Sequence, residues 1–326
     1  MSELSIISAA DIEKYATREM AFAAVRSALI AITEPNSMLF PVTIGRGLPT
    51  DSMVAIKSGM SAPEGIVGLK VGTYWPDNMA HGLANHGSTT LLLDPKTGMP
   101  TALFNAVALN GLRTAAANAV ATDVLARPDA EVLLVVGAGH QARCEVAAIC
   151  DIRPISRVLV WSRNPDHARG MVGEMSSGST IEFRAVTDLK SATREADIIT
   201  TVTPSMEALL QSEWVQPGTH ISAMGADKQG KKELDPQLMK RAMLFADHPP
   251  QSVEIGEFQH AAGMSLIQEK NITAIGDVLS GACNGRENDG SITIFDSSGI
   301  ALQDIAVALA VLDEIRLKGQ VVNVPF

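Results

Sequence analysis

The sequence predicts an α/β protein in which a doubly wound parallel sheet domain is joined to a second, α+β domain. An apolar run at residues 132–136 leads directly into Gly137 and Gly139, which indicates a buried strand, a tight turn and the start of a helix. Further apolar runs follow and alternate with helical segments, as is typical of a parallel sheet covered on both faces. Because the glycine turn lies far from the N-terminus, the residues before it are expected to form a domain of their own.

The composition excludes several classes of protein. The 326 residues are 46% hydrophobic and 19% charged, which fits a globular protein with two cores, and we expect it in the cytoplasm. A net charge of −10 without a Lys/Arg run argues against a nucleic-acid partner. No apolar run reaches about 18 residues and no basic, then apolar, leader is present, so neither a membrane span nor a signal peptide is expected. The three cysteines, Cys144, Cys150 and Cys283, show no metal-ligand spacing, and we predict reduced thiols and no metal.

The first domain begins with a predicted helix over residues 9–32, where apolar residues recur at helical spacing and Ser8 or Asp11 can act as the cap. Short strand-like segments follow, separated by Pro, Gly and Asp, and an Ala-rich helix then ends at Arg127-Pro128. The predicted strands are 42–44, 52–59, 65–74, 88–94 and 101–105, and the helix is 108–125.

The second domain contains the strands that alternate with helices. A last amphipathic helix at 303–318 and a short tail are expected to return to the first domain, so the domains are 1–125 with 305–326 and 126–304. The predicted strands are 132–136, 158–161, 181–184, 198–202, 220–224, 244–246 and 273–275.

The turn after residues 132–136 has the pattern of a dinucleotide site of the Rossmann type. Gly137, Gly139 and Ala142 allow backbone N–H groups and a helix N-terminus to approach a pyrophosphate. The second strand of such a domain usually ends at an acidic residue that holds the ribose, but Ser162-Arg163-Asn164 stands there. Arg163 can accept the 2′-phosphate of NADP, whereas the serine and asparagine can hold a plain ribose, so both cofactors remain open.

Four cations of the first domain indicate an anionic substrate, because guanidinium and ammonium groups pair with carboxylates. Lys70 lies in an apolar strand-like run, where a lysine is costly unless it faces a polar cleft; the alternative is a lysine at a strand edge. Arg113 is the one cation of a small, apolar helix, Arg46 lies between two glycines, and Lys57 follows a strand run. Asp227 follows a strand of the second domain, where it can act as acid or base, or simply as a turn residue.

Several segments, in this order and spacing, resemble the ornithine cyclodeaminase/μ-crystallin family over nearly the whole chain. The resemblance implies homodimeric, NAD(P)-dependent enzymes that act on the C–N bond of small 2-amino or 2-imino acids. The segments are Gly68-Leu-Lys-Val71 with Pro76-Asp-Asn78, Leu112-Arg-Thr-Ala-Ala116 with Ala119-Val-Ala-Thr122, Gly137-Ala-Gly-His-Gln-Ala142, Val160-Trp-Ser-Arg163, Gly225-Ala-Asp227 with Gly230-Lys231 and Glu233-Leu234, and Ile294 to Asp304.

The same resemblance implies roles for individual residues. It assigns the substrate α-carboxylate to Arg46, Lys70 and Arg113, with Lys70 as the first candidate for proton donor and Asp227 as the second. His140 and Gln141 would line the pyrophosphate turn, beside Gly137, Gly139 and Ala142, and Ser297 would lie near the nicotinamide. Further cofactor contacts are expected from Arg113, Ser162, Arg163, Asn164, Thr203, Met224, Gly225 and Ala226.

One departure from the family pattern bears on the substrate. Cyclodeaminases of the family have an acidic residue for the distal amine, and by ungapped count from Lys70 that position is Lys57 here. A lysine repels an ammonium and attracts a carboxylate, so we expect reduction of iminosuccinate to L-aspartate with NADH, although NADP is not excluded. The alternatives are an alanine dehydrogenase, a cyclic ketimine reductase such as pyrroline-2-carboxylate reductase, an ornithine cyclodeaminase, or a non-enzymatic, crystallin-like protein that binds NAD(P) or a small ligand.

Overall fold

The computed structural model describes residues 3–46, 51–319 and 321–326 and divides into two compact units. The first unit is Met1–Arg113 with Ile300–Phe326, and the second is Thr114–Gly299. The boundaries predicted from the sequence lie later, at 125/126 and 304/305. The boundary at Arg113 lies inside one continuous helix, Val107–Leu125, and a continuous helix has no local signal for where its contacts change.

Residues 9–32 of the first unit contain two helices. The sequence predicted a single helix there, and that prediction was wrong. The hydroxyl of Thr17 accepts a hydrogen bond from the N–H of Met20 at 3.1 Å and caps a new helix. Ser8 and Asp11 form a capping box at the start of the first helix. The helices are α1 (Ala9–Tyr15), α2 (Arg18–Ala31) and α3 (Val107–Leu125).

The first unit is built around a mostly antiparallel sheet that includes three strands the sequence analysis did not predict. Two of these, at the beginning and end of the chain, pair with each other, with Ser5 opposite Asn323. The third is a short strand at the other edge, and the predicted strands lie between them. The strands are β1 (Glu3–Ile7), β2 (Ser37–Leu39), β3 (Thr43–Arg46), β4 (Met53–Ser61), β5 (Ile66–Tyr74), β6 (His86–Leu93), β7 (Pro100–Asn105) and, at the end of the chain, β16 (Val322–Pro325).

The last helix of the chain, α10 (Ala301–Lys318), covers one face of strands β4 to β6. A Cβ atom on Gly59 would lie 3.5 Å from Leu302, and one on Gly68 would lie 3.5 Å from Ile305. The strand face that contains these glycines is therefore the face against α10, and residues two positions away on each strand share it.

The second unit confirms the predicted fold class, because its sheet is entirely parallel and carries helices between its strands. The order is β10-β9-β8-β11-β12-β15-β13-β14. Strand β15 was missing from the sequence prediction, although all five of its residues are buried in the middle of the sheet. The strands are β8 (Val132–Val136), β9 (Arg157–Trp161), β10 (Glu182–Val186), β11 (Ile198–Thr201), β12 (His220–Ala223), β13 (Ala242–Ala246), β14 (Ile272–Ala274) and β15 (Ile292–Asp296); the helices are α4 (His140–Ile152), α5 (Pro165–Met175), α6 (Leu189–Glu195), α7 (Pro249–Glu254), α8 (Gln259–Gly263) and α9 (Ile275–Leu279).

None of the helices in ranges 3–46, 51–319 and 321–326 is long and apolar enough to cross a membrane. Within the same ranges, no group of three or more His, Cys, Asp and Glu side chains is arranged to hold a metal ion.

Candidate active site

The two predicted substrate-binding lysines are direct neighbours in the sheet of the first unit. Lys57 of β4 lies opposite Lys70 of β5, on the face covered by α10. Side chains directly opposite each other on antiparallel strands have Cβ atoms about 4.5–5.5 Å apart, and like charges there are destabilising. Lys57 is half-buried and the side chain of Lys70 is only 11% exposed, so their positive charges require a counter-charge.

Part of that counter-charge comes from Asp304, in the first turn of α10. One carboxylate oxygen, Oδ1, lies 2.9 Å from the Nζ atom of Lys70 and 3.0 Å from the Nε atom of Arg113. Asp304 is only 3% exposed. The N-terminal end of a helix also favours an ionised carboxylate, so Asp304 is well suited to hold two cations together.

Two further side chains complete this group. The Nζ atom of Lys70 also donates to the Oδ1 atom of Asn110, one turn before Arg113 on α3. Arg113 donates from Nη1 to the Oε1 atom of Gln303 at 3.3 Å. We call Lys57, Lys70, Asn110, Arg113, Gln303 and Asp304 the cation cluster.

The charges of the cation cluster shift the titration of its members. Burial lowers the pKa of Lys70 from 10.5 to about 8; Arg113 and Lys57 act in the same direction, and Asp304 opposes them. Burial acts to raise the pKa of Asp304, but Arg113 and Lys70 outweigh it and bring that pKa below its usual value. At neutral pH the cluster therefore holds an ionised Asp304 beside an ammonium group that can release a proton near physiological pH.

Arg46 lies on the same face of the sheet as the two lysines. It is the last residue of β3 and pairs with Met53, which shares a face of β4 with Lys57. Arg46 is exposed, and the residues that follow it, 47–50, lie outside the described part of the chain. Strand register thus brings Arg46, Lys57 and Lys70 to one face, and α3 adds Arg113.

In the second unit, the turn between β8 and α4 has the features that a bound phosphate requires. Gly137 has a φ of 127°, and a Cβ atom there would lie 2.8 Å from the carbonyl oxygen of Val202. A Cβ atom on Gly139 would meet no protein atom within 4 Å. Gly139 is the N-cap of α4 and provides no side-chain cap, so the N–H groups at the start of this helix can bind a pyrophosphate.

The other predicted residues of this turn lie in the first turn of α4. His140 is exposed, Gln141 is half-buried and donates to Glu145 at 2.6 Å, and Ala142 is buried. A small side chain at position 142 allows the helix to pack closely against the sheet.

The loops after β11 and β12 are tied together by a buried glutamate that the sequence analysis did not select as a site residue. Glu233 accepts hydrogen bonds from the N–H and the hydroxyl of Thr203, at 2.6 and 2.7 Å, and from the N–H of Gly225 at 3.0 Å. Met224 and Ala226, on either side of Gly225, are buried. Glu233 therefore holds the loop that contains Thr203 against the segment of Met224, Gly225 and Ala226 at the carboxyl edge of the parallel sheet.

The remaining predicted cofactor residues also follow strands of this sheet. Ser162, Arg163 and Asn164 follow β9; Arg163 is exposed, and Asn164 caps α5 by accepting from the N–H of Asp166. Ser297 follows β15 and donates its hydroxyl to the Oδ2 atom of Asp247 at 3.0 Å.

Asp227, the second candidate for proton donor, has a different environment from Lys70. Its side chain is 58% exposed and forms an ion pair with Lys231 at 2.7 Å. Of the two candidates, Lys70 is the one that is largely buried, and burial lowers its pKa to about 8.

Sequence reasoning missed Asn110, Asp304 and Glu233 as site residues. A single acid or amide on an amphipathic helix usually lies on its exposed face, so neither Asn110 nor Asp304 stood out. Asp304 belonged to a segment quoted for the family resemblance, and the apolar residues around it were the available signal that it is buried.

Comparison with known proteins agrees with the motifs. The profile of the ornithine cyclodeaminase/μ-crystallin family matches residues 19–319. The chain belongs to this family. The iminosuccinate reductase of Paracoccus denitrificans is 38% identical over 96% of this chain and 97% of its own length.

Solved structures of family members superpose on almost the whole chain. The crystal structure of the Paracoccus denitrificans iminosuccinate reductase in complex with NAD+ has a TM-score of 0.93, with 99% of this chain and 100% of that chain covered. The Thermococcus litoralis Δ1-pyrroline-2-carboxylate reductase in complex with NADH and L-proline is 28% identical, with a TM-score of 0.91 and coverages of 98% and 100%. An archaeal alanine dehydrogenase dimer with bound NAD is 30% identical, with a TM-score of 0.92 and 99% of both chains covered.

Proposed function

We propose that this protein is an NAD-dependent oxidoreductase that reduces the C=N bond of a 2-imino acid, and that iminosuccinate, which yields L-aspartate, is its substrate. The observation that carries the proposal is the charge of the cation cluster. Lys57, Lys70 and Arg113 bring three positive charges to one site beside the carboxylate of Asp304, and such a site favours a substrate with more than one carboxylate. A four-carbon dicarboxylate supplies two negative charges, whereas the imine of pyruvate supplies one.

Each cation has a part in holding the substrate. Arg113 and Arg46 bind the α-carboxylate, and Arg113 can do so in a bidentate way; Lys70, held beside Arg113 by Asp304, attracts the same carboxylate by its charge. Lys57, opposite Lys70, binds the distal carboxylate. The likeness to the iminosuccinate reductase of Paracoccus denitrificans supports the same choice of substrate.

The reaction adds a hydride and a proton across the C=N bond. Bound NADH supplies the hydride from C4 of its nicotinamide to the imine carbon. The electron pair of the C=N bond moves to the nitrogen, which takes a proton from the Nζ atom of Lys70. With a pKa of about 8, this ammonium is protonated at neutral pH and yet acidic enough to give up its proton.

The dinucleotide is held by the second unit. The N–H groups at Gly139 and the start of α4 bind the pyrophosphate, and Thr203, Met224, Gly225, Ala226 and Ser297 are the proposed contacts of the rest of the cofactor. Ser162 and Asn164 suit the plain ribose of NAD, and three solved relatives contain NAD+, NADH or NAD.

We extend the proposal to a homodimer formed through the first unit. Met38 and Met60, cross-strand neighbours on β2 and β4, are 57% and 39% exposed, and Ile56 on the same strand face is 36% exposed. This face is opposite the one covered by α10, so a second copy can bury it without blocking the cation cluster. An archaeal alanine dehydrogenase of the same family is a dimer.

The experiment that tests the proposal compares initial rates with three imines, each with NADH and with NADPH. Oxaloacetate plus ammonia forms iminosuccinate in solution, pyruvate plus ammonia forms the monocarboxylate imine, and pyrroline-2-carboxylate is the cyclic imine. We expect the four-carbon substrate with NADH to give the highest kcat/KM. A preference for pyruvate or the cyclic imine would refute the dicarboxylate proposal, and no NADH oxidation with any imine would refute imine reduction.

A further inference from the structure

The ammonium group of Lys70 has three N–H donors, and the protein accepts two of them. One goes to the Oδ1 atom of Asp304 at 2.9 Å and another to the Oδ1 atom of Asn110. The acceptors belong to different helices, α10 and α3, so the nitrogen is fixed from two directions. Within residues 3–46, 51–319 and 321–326, these are its two acceptors, and the third N–H can serve a substrate.

We propose that Asp304 is a positioning residue of the reaction, which holds Lys70 in its protonated form and aims its remaining N–H at the imine nitrogen. The identity of that proton acceptor rests on the proposed function. Asp304 itself touches neither substrate nor cofactor in this scheme and acts through Lys70.

The electrostatic surroundings of Lys70 show why a carboxylate is needed. Lys57 of β4 lies opposite Lys70, and Arg113 of α3 shares Asp304 with it. Arg46 lies on the same face of the sheet. Burial disfavours a further positive charge at Lys70, and so do Arg113 and Lys57. Asp304 is the charged group on α10 that opposes them, and without it the lysine would lose its proton at a lower pH.

The contact of Asp304 with Arg113 adds a second effect. Because the same oxygen, Oδ1, lies within 3.0 Å of both Lys70 Nζ and Arg113 Nε, the two cations are held at a fixed separation. A substrate carboxylate bound by Arg113 therefore places the imine nitrogen at a defined position relative to the remaining N–H of Lys70.

The test uses the Asp304→Asn and Asn110→Asp substitutions in the full chain. A lysine must be protonated to donate, so the wild-type kcat/KM for imine reduction is expected to fall as the pH rises through about 8. D304N removes the opposing charge and should move this decline to lower pH by about one unit or more. N110D adds a carboxylate beside Lys70 and should move the decline to higher pH.

Asp313→Asn is the matched control, because Asp313 lies on the same helix with its side chain 60% exposed. Rates of D304N and N110D are expressed relative to this variant at each pH, so that the pH dependence of imine formation cancels and the displacement of the decline remains. If D304N lowers the rate by the same factor at every pH, and N110D leaves the decline in place, Asp304 is only structural and the proposal is overturned.

A second measurement separates this inference from the proposed function. Competitive labelling with acetic anhydride, read at the Lys70 peptide by mass spectrometry, gives the pKa of Lys70 without any turnover. We expect the pKa of Lys70 to be lower in D304N than in wild type, and higher in N110D than in wild type. If wild type reduces no imine, the proposed function fails while the labelling still tests the inference; equal labelling in the three proteins overturns the inference even if iminosuccinate is reduced.

Discussion

Lys57 is the residue on which the choice of substrate depends. It lies directly opposite Lys70 on the face covered by α10, and it contributes to the lowered pKa values of both Lys70 and Asp304. Its charge therefore affects other members of the cation cluster, although the group that we propose it binds is the distal carboxylate of the substrate.

Neutralising this side chain is predicted to remove the preference for a dicarboxylate. In Lys57→Gln, kcat/KM for iminosuccinate should fall roughly 10- to 100-fold, since a hydrogen bond to a charged group contributes about 1.5–3 kcal/mol. The value for the imine of pyruvate should change little. Lys96→Gln, in an exposed turn of the same unit, is the control, and equal losses on both substrates would show that Lys57 does not read the distal carboxylate.

In the turn between β8 and α4, two positions require glycine for different reasons. At Gly137 the backbone conformation and the nearby Val202 exclude a side chain. At Gly139 the protein leaves room for one, so the constraint there comes from what the turn binds.

This difference gives a prediction for Gly139→Ala. The melting temperature should be close to that of wild type, because the added methyl group meets no protein atom within 4 Å. The Kd for NADH, measured by fluorescence titration, should rise about tenfold or more, since the methyl group occupies the approach to the pyrophosphate. Gly170→Ala in α5, also in open surroundings, should leave the Kd unchanged; an unchanged Kd in G139A would place the pyrophosphate elsewhere.

Elements with a strong local pattern were predictable from the sequence, and those defined by distant partners were not. Strand β8 and its turn consist of consecutive apolar residues and glycines, and their position was predicted correctly. Strands β1 and β16 are short and exist because they pair with each other across 318 residues of sequence. Likewise Lys70 and Arg113 could be selected as unusual cations, whereas Asp304 became recognisable only once α10 lay over β5.

At the scale of the whole molecule, one buried carboxyl group of the second unit makes the free energy of unfolding depend on pH. Asp296, the last residue of β15, is fully buried, and burial together with Asp247 raises its pKa well above 3.8, despite a hydrogen bond from Ser252. In the unfolded chain this carboxyl group ionises above about pH 3.8, whereas in the folded chain it stays protonated to a higher pH. Its contribution to stability is therefore complete below that pH and is lost as the pH rises toward the raised pKa.

Asp296→Asn is predicted to flatten this pH dependence. Between pH 5 and the native pKa of Asp296, the wild-type free energy of unfolding should fall by about 1.4 kcal/mol per pH unit relative to the variant. Urea unfolding at pH 5, 6 and 7 measures the difference, and Asp313→Asn should follow wild type. Parallel curves for wild type and D296N would mean that Asp296 is already ionised in the folded protein.

The first unit is discontinuous, and this has a consequence for the order in which the protein can be made. Asp304 follows Lys70 by 234 residues, and the whole second unit is synthesised between them. Domains of a nascent chain generally fold as units, beginning with those that leave the ribosome first. The first unit must therefore wait for α10, so the second unit can finish folding before the first, and the cation cluster gains its carboxylate only after the second unit has been synthesised.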